Sequence, residues 1–277
     1  MLDNIKKLYT KIKKINKQPI MSILPGQLAF FFTLSLPPLF SLVGIIGNIL
    51  SVSTEGFIEF INNSFPLSTS NLILPVIRGK GINFGLIAFM IGAFLMISKG
   101  TKAIIVTSNV LYDVKETNKV KQRIKALFMV VTLAILLAFM IIVPILGDSI
   151  MALLKNIKQI NYIFNELMIV YNILKLPISF IFIFFTIKLM YTIAPDKFVK
   201  GRDVTYGALF TTVFWVISSR IYTYYITHFA KFDVFYGNIA NLIILLLWLY
   251  LLSYIFVLGM ALNAGTYSLE LEIKNSK

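Results

Sequence analysis

Residues 238–263 read NIANLIILLLWLYLLSYIFVLGMALN, a run without a single charged side chain. A bilayer's hydrocarbon core of roughly 30 Å is crossed by about 20 apolar residues coiled as helix, so this run is long enough to span it. Searching outward for similar runs gives six charge-poor stretches, near 27–50, 82–98, 126–147, 173–192, 204–227 and 238–263. All twelve acidic residues lie outside them. Inside lipid every backbone N–H and C=O must be satisfied within the protein, which leaves helices or closed barrels, and runs this bulky and continuous suit helices. The expected fold is therefore all-α, a polytopic membrane helix bundle with about six transmembrane helices.

Composition agrees. Of 277 residues 58% are hydrophobic and 14% charged, with a mean hydropathy of +0.83. A soluble domain holds nearer half and a quarter, so most of this chain's surface is expected to face lipid. The Lys and Arg residues number 26 against 12 Asp and Glu, a net charge of +14. In a soluble protein that excess would suggest nucleic acid, so its position decides the reading. The N-terminal segment carries six basic residues (Lys6, Lys7, Lys11, Lys13, Lys14 and Lys17), the segment 99–125 seven, 188–203 four and the tail two. Together these nineteen face five in the three alternate segments. Short cytoplasmic loops hold the basic excess, which predicts both termini on the cytoplasmic side and leaves no charge for a nucleic-acid ligand to explain.

Three regions follow: a basic amphipathic cytoplasmic segment at 1–22, a transmembrane domain at 23–265 and a short cytoplasmic tail at 266–277. The apolar stretch from Gln27 to Leu50 lacks a small-residue cleavage site and reads as a retained span. Ahead of it Ile5, Leu8, Tyr9, Ile12 and Ile15 share a helical face among lysines, which suits a helix lying on anionic inner-leaflet lipids; the alternative is a basic tail that only sets topology. In the second outer segment Ile150, Leu153, Leu154, Ile157, Ile160 and Phe164 repeat at helical spacing, as a capping helix or as an extension of a neighbouring span.

Polarity and small residues mark the interior. Gly81, Gly85, Ala88 and Gly92 fall three or four apart and form a face for close helix packing, within the chain or as a seam of a homo-oligomer. Pro37 and Pro38 remove two backbone donors near the middle of span one, giving either a simple kink or the broken helix that many transporters use to hold cargo. Arg220 is the charge most clearly inside a span, positioned either to snorkel or to meet an anionic group. Trp215 and Trp248 stand near mid-span and are expected to pack inside the bundle.

Chemistry has little to work with. There is no cysteine, which excludes disulfides, thiolate metal sites and thiol nucleophiles. The one histidine is His228, and HExxH, GxSxG, GxxxxGK[ST] and a strand-borne GxGxxG are all missing. No catalytic residue, metal or cofactor is expected.

Three blocks resemble a known family: LAFFFTLSLPPLF at 28–40, SNVLYDVKE at 108–116 and YGNIANLIILLLWLYLLSYIFVLGMALNAG at 236–265. Together with Pro195 and Gly207 they are similar to the YihY and virulence-factor BrkB family of bacterial inner-membrane proteins. Tyr236, Gly237, Trp248, Tyr250, Gly259 and Asn263 stand at that family's spacings. The segment after Glu116 departs from it, reading TNK where relatives carry arginine, and Asn238 stands where a smaller residue is common. The resemblance implies a multi-pass protein of the bacterial plasma membrane. It also brings an old ribonuclease BN label, generally regarded as mistaken.

The leading expectation is a transporter or flippase-like exporter of an amphipathic or anionic solute or lipid, its cavity formed around Pro37, Pro38, Asn109, Arg220 and Tyr236. The alternatives are a non-transporting scaffold for envelope assembly and a membrane enzyme.

Overall fold

The computed structural model describes residues 10, 13, 17, 19, 21–34, 58, 74, 84–115, 118–155, 164–229 and 240–275. These residues form helices and connecting turns, with no strand among them. The long elements are α1 (Met21–Leu34), α2 (Phe84–Leu111), α3 (Lys119–Lys155), α4 (Phe164–Ile193), α5 (Thr205–Phe229) and α6 (Ala240–Asn275). Among the described residues, two stretches are long and apolar enough to cross a membrane by length and composition, Glu166–Ile193 and Ile243–Leu269, and Met21–Leu34 is a shorter apolar helix.

Neighbouring helices run antiparallel, as their cross-contacts show. Thr101 of α2 donates its hydroxyl to the Ala126 carbonyl of α3 at 3.0 Å. Lys125 meets Asp196 just past the end of α4, while Phe139 stacks on Phe182 farther along both helices, at 3.6 Å between ring centres. Tyr191 of α4 meets Thr211 of α5 at 2.8 Å. Between α5 and α6 the contacts step in opposite directions: Gly207 with Asn263, Trp215 with Leu252 and Tyr222 with Trp248. Thus α2, α4 and α6 run one way and α3 and α5 the other. On α1, Phe31 lies against Gly100 of α2, and Ile23, Leu24 and Gln27 share a groove with α2 residues between Lys99 and Thr107.

The turn between α2 and α3 is built from local capping. The N–H of Val114 reaches the Asn109 carbonyl at 2.9 Å and that of Asp113 reaches Val110 at 3.2 Å, while Asp113 takes φ 52°. This six-to-one plus five-to-two pattern is a Schellman motif, which satisfies carbonyls that the helix end leaves open. Four residues after Val114, Asn118 caps α3, its side-chain oxygen accepting from the N–H groups of Val120 and Lys121 at 2.9 and 3.1 Å. The TNK segment that departs from the family pattern therefore supplies a helix cap.

The core concentrates where α1 to α6 meet near this turn. Leu24, Leu28, Ile104, Ile105, Met129, Ile187, Met190, Val257 and Met260 are essentially inaccessible. Bulky apolar side chains such as Ile169, Ile173, Ile181, Phe185, Ile221 and Leu247 instead stand exposed on the outside. An exterior this apolar is what lipid, rather than water, would solvate. Gly207 and Gly259 let α5 and α6 touch backbone to backbone: a Cβ at Gly259 would lie 2.6 Å from the Tyr191 hydroxyl and 2.8 Å from the Gly207 carbonyl. Trp215 donates its indole N–H to the Leu252 carbonyl at 2.9 Å, and Trp248 stacks on Tyr222 at 5.0 Å, so both tryptophans pack between helices.

Helices outrun the spans expected from sequence. The segment 99–125 reads as a basic loop, yet Lys99 and Lys102 lie in α2 and Lys119, Lys121, Arg123 and Lys125 in α3, leaving a short turn between. Apolarity marks only the part of a helix that faces hydrocarbon, whereas the backbone ladder continues through polar residues. For the same reason α6 continues through Asn275, into the residues expected as a tail.

Candidate functional site

Two features occupy the end of the bundle that holds the α2–α3 turn. The first is a polar junction centred on Asp196, which follows Pro195 after α4. Asn109 grips it twice: Nδ2 donates to Asp196 Oδ2 at 2.8 Å, and the Asp196 backbone N–H donates to Asn109 Oδ1 at 2.7 Å. Gln122 donates to the same Oδ2 at 2.8 Å. Lys125 donates to Oδ1 at 2.9 Å and to the Pro195 carbonyl at 2.7 Å. The carboxylate side chain is only 3% exposed and its lysine partner 17%. Burial alone would push the Asp196 carboxyl up, but bonds from Lys125, Gln122 and Asn109, with the lysine charge, outweigh it and hold the group below its ordinary range. Beside it Lys197 donates to the Tyr112 carbonyl at 3.3 Å and sits over the Tyr267 ring, 4.3 Å from its centre. The junction thereby fastens α2, α3 and α4, and Lys197 extends it to α6.

The second feature is an open-sided groove of about 470 Å³ between α1 and α2. Ile23, Leu24, Ala103 and Val106 give it apolar walls, Gln27 and Thr107 add hydrogen-bonding groups, and Lys99 and Lys102 supply two cations. Between the two lysines α1 and α2 are in close contact, since a Cβ at Gly100 would press on Phe31 at 2.9 Å. Apolar walls with a cationic rim can hold an amphipath whose polar end is an anion.

Of the residues expected to form a cavity, Asn109 and Arg220 are among those described. Asn109 is buried in the Asp196 junction, where it ties helices. Arg220 is exposed on α5. Pro37, Pro38 and Tyr236 lie outside the described residues, as do Gly81 and most of the basic N-terminal face. Of the small-residue face, Gly85 and Ala88 lie in α2, and a Cβ at Gly92 would meet nothing within 4 Å. The lysines of the groove, and Asp196, Gln122 and Lys125 of the junction, are absent from the sequence-based set. Asp196 had one available signal, an acidic residue next to Pro195 in a mainly basic segment directly after a span.

Comparison with known proteins supports the same class. Residues 13–276 match the family described as Virulence factor BrkB. The ribonuclease-like protein YfkH of Bacillus subtilis (strain 168) is 28% identical over 243 residues, covering 86% of this chain and 87% of the relative. A UPF0761 membrane protein of Vibrio campbellii is 26% identical over 253 residues, covering 89% and 73%. A UPF0761 membrane protein of Haemophilus influenzae (strain ATCC 51907 / DSM 11121 / KW20 / Rd) is 36% identical over 89 residues, about a third of each chain. No solved structure matches. With its apolar helices and a family match running almost from end to end, the chain belongs to the BrkB virulence factor family of membrane proteins.

Proposed function

We propose that this protein crosses the bacterial plasma membrane six times with both ends in the cytoplasm, and that it moves an anionic amphipath which it first holds in the groove between α1 and α2. The groove is the observation that carries the reading, because it combines apolar walls with Lys99 and Lys102. Gln27 opens the first expected span and Lys99 follows the second, so the proposed topology sets the groove at the headgroup level of the inner leaflet. There each lysine contributes about 1 kcal/mol toward an anionic headgroup, and two together favour it by about 30-fold. Arg220, exposed on α5, would meet the anion later on the route. The basic N-terminal segment would draw anionic lipid toward the entrance.

Reconstitution tests this. Vesicles containing the purified protein and fluorescently labelled phosphatidylglycerol are treated with an impermeant quencher. Loss of signal from both leaflets is expected with the wild type, slowed about 30-fold by Lys99→Ala with Lys102→Ala. Quenching of the outer leaflet alone with the wild type would refute transport of this lipid class.

A second reading, a scaffold acting through self-association, draws on the open space at Gly92. It requires an oligomer whose formation depends on that face.

A further inference from the structure

Five buried side-chain polar atoms have no hydrogen-bond partner among the described residues, and besides Trp248 Nε1 and Ser253 Oγ they are Ser108 Oγ, Tyr112 Oη and Asn263 Nδ2. The residues of these last three are 1%, 5% and 1% exposed. Leaving one such group dry costs about 1–3 kcal/mol, so the three that fall at one level of the bundle point to a shared partner.

The topology brings them to one level. The Tyr112 and Tyr267 rings meet edge to face at 5.5 Å. Because α2 and α6 run in the same direction, one turn back from that contact places Ser108 on α2 level with Asn263 on α6. Asn263 Oδ1 is already taken, accepting from the Gly207 N–H at 2.7 Å, an N-terminal donor of α5 that its own helix cannot satisfy. Only donor capacity remains on Nδ2, while the two hydroxyls can both give and accept.

We infer that Ser108, Tyr112 and Asn263 enclose a buried water site within the bundle, unassigned by the transport reading and independent of it. Water accepts from Nδ2 and exchanges hydrogen bonds with both hydroxyls, the three partners that a typical buried water has. A metal ion suits the site badly, because Nδ2 cannot ligate and the Lys197 ammonium lies 5.8 Å from the Tyr112 ring centre. An anion is opposed by the Asp203 charge, which acts on Tyr112.

X-ray radiolytic labelling of the full chain in lipid nanodiscs tests this, since radicals arise from bound water where bulk solvent cannot reach. Tyr112 is expected to be labelled within about threefold of Tyr206, although Tyr206 is 67% exposed. Met129, fully buried in the apolar core, should stay unlabelled despite the greater reactivity of methionine. Filling the space with Ser108→Val should lower Tyr112 labelling about tenfold. Wild-type Tyr112 as silent as Met129 would overturn the proposal, and so would labelling that changes when chloride is replaced by a large organic anion. Should Ser108→Val fail to fold, the wild-type contrast between Tyr112 and Met129 decides alone.

Discussion

Asn109 and Asp196, 87 positions apart, are joined by two hydrogen bonds of 2.8 and 2.7 Å, one through the Asp196 carboxylate and one through its backbone N–H. Through this pair the end of α2 is fixed to the residue that follows α4, and Lys125 and Gln122 draw in the start of α3. Removing the carboxylate charge leaves Lys125 without its partner in a mostly buried position, so Asp196→Asn should destabilise the protein by about 2–4 kcal/mol. Thermal unfolding in detergent measures this.

The same carboxylate sets an acid limit. Its native pKa lies below the ordinary 3.8, so its contribution is complete above the unfolded value and fades as pH falls through the native one. Wild-type stability should therefore drop below about pH 4, with a shallower acid limb in Asp196→Asn. Unfolding temperature followed against pH checks the difference.

Asp113 holds the left-handed position that closes α2, with φ 52°. A side chain there costs about 1 kcal/mol relative to glycine, so Asp113→Gly should stabilise the turn by about that amount. A lower unfolding temperature in Asp113→Gly would contradict it.

Two glycines should respond in opposite ways. A Cβ at Gly259 intrudes on Thr211, Tyr191 and the Gly207 carbonyl, so Gly259→Ala should force α5 and α6 apart and cost about 3 kcal/mol or misfold. Gly92 meets nothing within 4 Å, so Gly92→Ala should be neutral or gain about 1 kcal/mol from helix propensity. Gly92→Leu then separates the two functional readings: a scaffold loses its oligomer, whereas a transporter acting alone keeps its flux.

Topology can be read cleanly because the chain has no native cysteine. Single substitutions Lys200→Cys and Lys231→Cys in intact cells should show the first shielded from an impermeant maleimide and the second labelled. The reverse pattern would invert the proposed orientation.

The helical class and the rough position of each described helix are legible from the apolar runs. Helix ends are not, since caps such as Asn118 and the Asp113 turn act through backbone hydrogen bonds that hydropathy does not register. Asn109 is expected from sequence as a cavity residue, but its partner lies 87 residues away and only the fold reveals it. Lys99 and Lys102 blended into the general basic excess. Their place in a groove depends on how α1 crosses α2, where Gly100 receives Phe31.

Selective retention of anionic lipid in the α1–α2 groove is the step on which the transport reading rests. Native mass spectrometry of the purified protein, equilibrated with equal phosphatidylglycerol and phosphatidylcholine, measures it directly. The wild type is expected to keep phosphatidylglycerol about 30-fold more strongly than the Lys99→Ala, Lys102→Ala protein, with phosphatidylcholine unchanged. Equal retention of phosphatidylglycerol by the two proteins would contradict the groove as the site of cargo entry.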